Sequence, residues 1–177
     1  MAHFMLTCIG NDRPGLVSDL SAPISAHGAS WSRSQMARLG GKFAGIVLLD
    51  VPEARAEALT EELVALREVG LLVTLERTDV PAEEPASRMT LELLGADRPG
   101  IVAEISTALA GHHVSILELV TDVREAPMAG GHLFEAQAVL EAPSTTSTDE
   151  LRSMLEAIAD ELMVDINLSD AEEPASA

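Results

Sequence analysis

The sequence predicts an α+β protein built from two ferredoxin-like βαββαβ units in tandem, each an antiparallel sheet with helices on one face. Three observations carry this. G-N-D-R-P-G-L-V-S-D-L-S at positions 10–21 returns as G-A-D-R-P-G-I-V-A-E-I-S at positions 95–106. Later landmarks repeat as well: Phe43 with Phe134, Val51-Pro52 with Ala142-Pro143, and Thr78-Asp79 with Ser169-Asp170. Within each copy the apolar periodicity switches between two and 3.6 in the order strand, helix, strand, strand, helix, strand.

The first loops lie 85 positions apart and the later landmarks 91 apart, so six extra residues are expected near Arg124 to Gly131 of the second copy. The Pro/Ala/Glu-rich stretches after each copy read as filler. The expected organisation is a first domain at 1–79, a linker at 80–87, a second domain at 88–170 and a disordered acidic tail at 171–177.

The elements follow in order. His3 to Ile9 is a short apolar strand, ended by Gly10-Asn11-Asp12. Pro14 suits the first turn of a helix, where its missing N–H costs nothing. Leu16, Val17, Leu20 and Ile24 form one apolar stripe, and Ile101, Val102, Ile105 and Leu109 form its twin. Pro23 falls inside the first helix, where the second copy has Ala108, so a bent or shortened helix is expected in the first copy only. Ala29 to Leu39 alternates as a strand, and Gly40-Gly41 turns the chain into Phe43 to Val51. A second helix carries Leu59, Leu63, Leu66 and Val69, and Leu71 to Leu75 closes the copy. The second copy runs Arg88–Leu94, Pro99–Gly111, Val114–Arg124, His132–Leu140, Thr148–Asp160 and Leu162–Leu168. Its second strand, with Ile116, Leu117, Leu119 and Val120, is more apolar than Ser30-Trp31-Ser32-Arg33-Ser34-Gln35 and suits a buried interface. Trp31 and Arg33 suit an open edge.

Composition narrows the function. A chain of 177 residues in two such units gives each only about 60–65% burial of its unfolded surface, so each copy leans on a neighbour. A net charge of −18 excludes DNA or RNA as a direct partner, because phosphate binding needs clustered Lys and Arg. It disfavours anionic membranes too. The lone Cys8 has no intrachain disulfide partner and, with no basic signal region at the start, points to the cytoplasm. No cofactor motif is present. Cys-His and Ser-His-Asp constellations cannot be assembled, so no catalytic residue is assigned. His27 and His112 sit at helix ends, which favour imidazoles, and no ligand spacing supports a metal.

The best-repeated segment is a loop at the mouth of a helix, where exposed N–H groups hold anions. The candidate ligand-binding residues are Asn11, Asp12, Arg13, Pro14, Gly15 and Leu16, with Asp97, Arg98, Pro99, Gly100 and Ile101. Asp12 and Asp97 are expected to cap their helices. Gly15 and Gly100 are expected to let a ligand approach the backbone without a Cβ in the way.

This Gly-x-Asp-Arg-Pro-Gly-hydrophobic-Val loop after a first strand resembles the ACT domain. The tandem pair, over about 165 residues, resembles the glycine cleavage system transcriptional repressor family. The resemblance implies a non-catalytic regulator that binds a small amino acid, glycine or similar, at domain interfaces. It also implies a protein partner such as a transcription activator, no direct nucleic-acid contact, and a homodimer. An interaction module with no small-molecule ligand is the alternative reading.

Overall fold

The computed structural model describes residues 1–79, 86–126 and 130–170. The chain divides into two units, Met1–Ala82 and Glu83–Ala177.

In the first unit, β1 (Ala2–Asn11) alternates strictly. Ala2, Phe4, Leu6 and Cys8 are buried toward the helices, while His3, Thr7 and Ile9 face out. It lies between β3 (Lys42–Val51) and β4 (Leu71–Arg77), and β2 (Ser30–Leu39) completes an antiparallel sheet ordered β2-β3-β1-β4. The two helices, α1 (Leu16–Ala26) and α2 (Ala56–Ala65), press Leu16, Leu20, Ile24, Leu59 and Leu63 onto that sheet. Each such side chain, fully buried, contributes about 1.5–3 kcal/mol. Gly40 and Gly41 both have positive φ, which a two-residue hairpin turn of type I′ requires.

The second unit repeats the plan with β5 (Ala86–Ala96), α3 (Ile101–Gly111), β6 (Ser115–Glu125), β7 (His132–Pro143), α4 (Thr148–Leu162) and β8 (Val164–Asp170). Its sheet is ordered β6-β7-β5-β8. Both units carry a bulge at the same place. Ser32 is skipped between Trp31 and Arg33, and Leu117 between Ile116 and Glu118. The bulge lets Trp31 and Met36, an odd five positions apart, both pack on the helix side. The six-residue excess falls in the β6–β7 hairpin. Arg124 pairs with Leu133 as Leu39 pairs with Lys42, and one further pair, Glu125 with His132, follows.

Several expectations change. Pro14 stands outside α1, in the turn before it, because Gly15 is the N-cap. Pro23 does not shorten its helix, since α1 and α3 both have 11 residues. Only one helical turn follows Pro23, so little of the helix depends on the N–H it lacks. Val17, Val102 and Val69 are exposed, not part of the core stripes. Residues 66–69 wind as a 3₁₀ turn, which rotates Val69 off the buried face. The apolar β6 is an exposed edge strand along most of its length. β5 starts at Ala86, so the last two residues read as linker belong to a strand; the rest of that linker and the tail at 171–177 lie outside the described residues.

The spacing of 91 also fails at the end. Gly10 pairs with Leu71 and Gly95 with Val164, a separation of 93. Ser169 therefore corresponds to Glu76, not Thr78. The two additional residues lie in the segment of α4, a continuous helix where the first unit has α2 and a 3₁₀ turn. Both segments end on a left-handed residue, Gly70 at φ 82° and Met163 at φ 53°.

Candidate functional site

The first glycine of each repeated loop is required by packing. A Cβ on Gly10 would lie 2.7 Å from the Gly70 carbonyl oxygen, and one on Gly95 would lie 2.6 Å from Val164 Cγ1. The next residues tie each loop to its own hairpin tip. The Asp12 N–H donates to the Gly41 carbonyl and the Asp97 N–H to that of His132, both at 2.9 Å. Lys42 Nζ donates to Asn11 Oδ1 at 2.5 Å.

Neither aspartate caps a helix. Among the described residues no side chain accepts from the first N–H groups of α1 or α3, and the N-caps are Gly15 and Gly100. The Asp12 carboxylate instead accepts from Arg38 Nη1 at 3.2 Å. The second glycine has a different reason from the one expected. At Gly15 and Gly100 a Cβ would meet nothing closer than 3.9 and 3.7 Å, but φ is 91° at both. It is the left-handed backbone, not crowding, that demands glycine there. Leu16 and Ile101 begin the helices fully buried and anchor them to the core.

The loop arginines turn back onto their own helices. Arg13 Nη2 donates to Asp19 Oδ2 at 2.6 Å, and Arg98 grips Glu104 through both nitrogens at 2.9 and 2.5 Å. The hydrogen bonds from Arg98 hold the Glu104 carboxyl below its ordinary value, and the guanidinium is raised in turn. Asp19 and Glu104 were missed in the sequence, although an acid six residues after the loop arginine recurs in both copies. The Arg98–Glu104 pair borders an open groove of about 610 Å³ between α3 and α4, with Thr107, Ile158, Glu161 and Leu162. Each helix thus presents leading N–H groups that no side chain caps, beside an arginine already neutralised by its own acid.

The other singled-out residues take structural places. His27 and His112 are C-cap residues, and His27 Nε2 lies 2.8 Å from Glu62 Oε2. Cys8 is buried, and desolvation pushes its thiol pKa up, away from the reactive thiolate. Among the described residues no three His, Cys, Asp or Glu side chains are grouped to hold a metal ion, and no helix is long and apolar enough to cross a membrane.

Residues 2–76 match the ACT domain family model. The glycine cleavage system transcriptional repressor of Escherichia coli is 26% identical over 163 residues, covering 90% of this chain and 85% of the relative. A UPF0237 protein of Methanopyrus kandleri is 35% identical over 83 residues, 45% of this chain and 92% of its own length. The crystal structure of an unknown protein from Galdieria sulphuraria superposes with a TM-score of 0.83 at 29% identity, over 97% of this chain and 99% of that one. The Escherichia coli relative is named as a transcriptional repressor, a regulatory role. The second unit repeats the strand order, bulge and glycine N-cap of the first, which matches the ACT domain family, and the chain as a whole is similar to the glycine cleavage system transcriptional repressors.

Proposed function

We propose that this protein is a cytoplasmic regulator that binds a small amino acid, glycine or similar, at its Asp-Arg-Pro-Gly loops and works as a homodimer on a protein partner such as a transcription activator. The observation carrying the ligand is the pair of glycine N-caps at φ 91°, each opening a helix whose first N–H groups meet no side-chain cap. A carboxylate placed there gains about 0.3–1 kcal/mol from the helix dipole, and up to ~2 when partly buried. The charge of −18 favours a protein partner over DNA, and resemblance to the repressors supports a partner that acts in transcription.

One observation favours the ligand-free alternative. Arg13 and Arg98, the loops' own cations, are already paired with Asp19 and Glu104. A melting screen of amino acids at millimolar concentration separates the two readings. At least one rise in melting temperature supports the regulator, and a flat screen supports the ligand-free interaction module.

A further inference from the structure

The two sheets differ most on the face turned away from their helices. In an antiparallel sheet with one covered face, the other is ordinarily polar. The second unit obeys this. Across the rows of its open face lie Asp165, Leu94, Glu135 and Asp122, then Asn167, Glu92, Gln137 and Val120. The matching rows of the first unit read Leu72, Ile9, Ala44 and Ala37, then Thr74, Thr7, Ile46 and Gln35. Ile9, Ile46 and Leu72 are 48%, 46% and 56% exposed. An aspartate, a glutamate and a glutamine of one unit are thus a leucine, an alanine and an isoleucine of the other.

We propose that this open face of the first unit is a self-association surface, on which a second copy of the chain lays its own first unit about a two-fold axis parallel to the strands, between β1 and β3. Such an axis brings each row onto itself with its ends exchanged, because a two-fold interface is isologous. In the row Arg33–Leu48–Met5–Glu76, Arg33 meets Glu76 of the other copy at both ends and Leu48 meets Met5. In the next row Gln35 meets Thr74 and Ile46 meets Thr7. In the third, Ala37 meets Leu72 and Ala44 meets Ile9. His3 and Asp50, paired across strands at one end of the face, also meet in exchanged order. Each row is complementary to its own reversal.

The second unit's face fails the same operation. Asp122 would meet Asp165, and Glu135 would oppose Leu94. Size agrees with a second copy as the occupant. Strands about 4.8 Å apart and ten residues of ~3.4 Å give a sheet face of roughly 600 Å² before side-chain relief. A standard interface takes about 800 Å² from each partner.

Sedimentation of the full-length chain tests this. The expected wild-type mass is twice the chain mass of 18.7 kDa at tens of micromolar. Leu72→Asp and Ala44→Glu give the first unit the residues its twin carries, and each should weaken the dimer at least tenfold with the melting temperature of the monomer retained. Glu76→Arg alone should weaken it, and adding Arg33→Glu should restore it. Leu119→Asp on the edge strand β6 should leave it unchanged. A monomeric wild type overturns the proposal. So does a dimer that survives Leu72→Asp and Ala44→Glu, or one that Leu119→Asp dissolves.

Discussion

Gly15 and Gly100, 85 positions apart, hold one left-handed conformation, φ 91° with ψ −4° in the first and −6° in the second. The first unit puts glycine at its other left-handed helix exits too, Gly28 and Gly70. The second unit has His113 at φ 59° and Met163 at φ 53° in those places. The left-handed region costs an ordinary residue about 1–2 kcal/mol. Introducing glycine loosens the unfolded chain by about 0.4–1 kcal/mol. The first effect wins. Met163 is 86% exposed, so no burial is lost. Met163→Gly and His113→Gly should each stabilise by about 0.5–1 kcal/mol, read as a higher denaturant midpoint at unchanged slope.

The reverse exchange should cost more. Gly15→Val or Gly100→Val places a β-branched side chain at φ 91° and should destabilise by at least about 1–2 kcal/mol. That is a drop of about 2–4 °C per kcal/mol for a chain of this length. Equilibrium unfolding of either variant checks this. A lost ligand response in such a variant would then report the strained backbone and not a blocked site.

These residues also show what was legible. The repeat, strand order and core faces follow from periodicity, because burial on one face forces it. The bulges left a trace as well: Trp31 and Met36 sit at odd spacing yet both pack inward. Pro14 and the two aspartates misled because a proline or carboxylate just before an apolar run ordinarily marks the first turn or its cap. Here a left-handed glycine stands between them and the helix. The exposure of Val17 and Val102 had no local signal. Each adjoins a buried residue at the helix start, and only the helix's rotation against the sheet decides which of the two faces in.

α4 opens with a reciprocal cap. Ser147 Oγ accepts from the Glu150 N–H at 3.2 Å, and Glu150 Oε2 accepts from the Ser147 N–H at 2.9 Å. α2 has no such cap. Ser147→Ala should destabilise the protein by about 1 kcal/mol. Ser147→Asp should recover most of the loss. Thermal unfolding of the pair separates the lost cap from any change in the neighbouring loop.

Acid should weaken both units through a few carboxylates. The Ser32 hydroxyl, donated to Asp50 from the bulge, holds that carboxyl below its ordinary value, with help from His3. The Ser147 backbone N–H does the same for Glu150, and Arg98 for Glu104. A carboxyl depressed in the folded state binds its proton more readily when unfolded. Its contribution is therefore complete above the unfolded value of about 4 and disappears as pH falls through the folded one. Melting temperature should fall steadily below about pH 4, and the fall should be shallower in Ser32→Ala, which has less to lose. Equal slopes in the two proteins would remove Asp50 from this account.

The ligand site has a test that avoids the glycines. Glycine as free ligand has five heavy atoms, and about 1.5 kcal/mol per atom bounds its binding near −7.5 kcal/mol, a dissociation constant of a few micromolar at best. At about 100 times that constant, binding adds ~2.7 kcal/mol, or roughly 5–10 °C in melting temperature. Val17 and Val102 are exposed second residues of their helices, 47% and 42% accessible, directly after the glycine N-caps. An aspartate there would set its own carboxylate among the leading N–H groups. Negative charge at a helix start is favourable, so Val17→Asp should leave the unliganded melting temperature equal or higher. The same charge should fill and repel the anion site, abolishing the amino-acid shift if the first loop is where the carboxylate sits. Val102→Asp reports the second loop in the same way, and the double variant should respond to no amino acid. A ligand shift that survives in the double variant would place the amino acid elsewhere on the protein, with the groove beside Arg98 and Glu104 the next position to test.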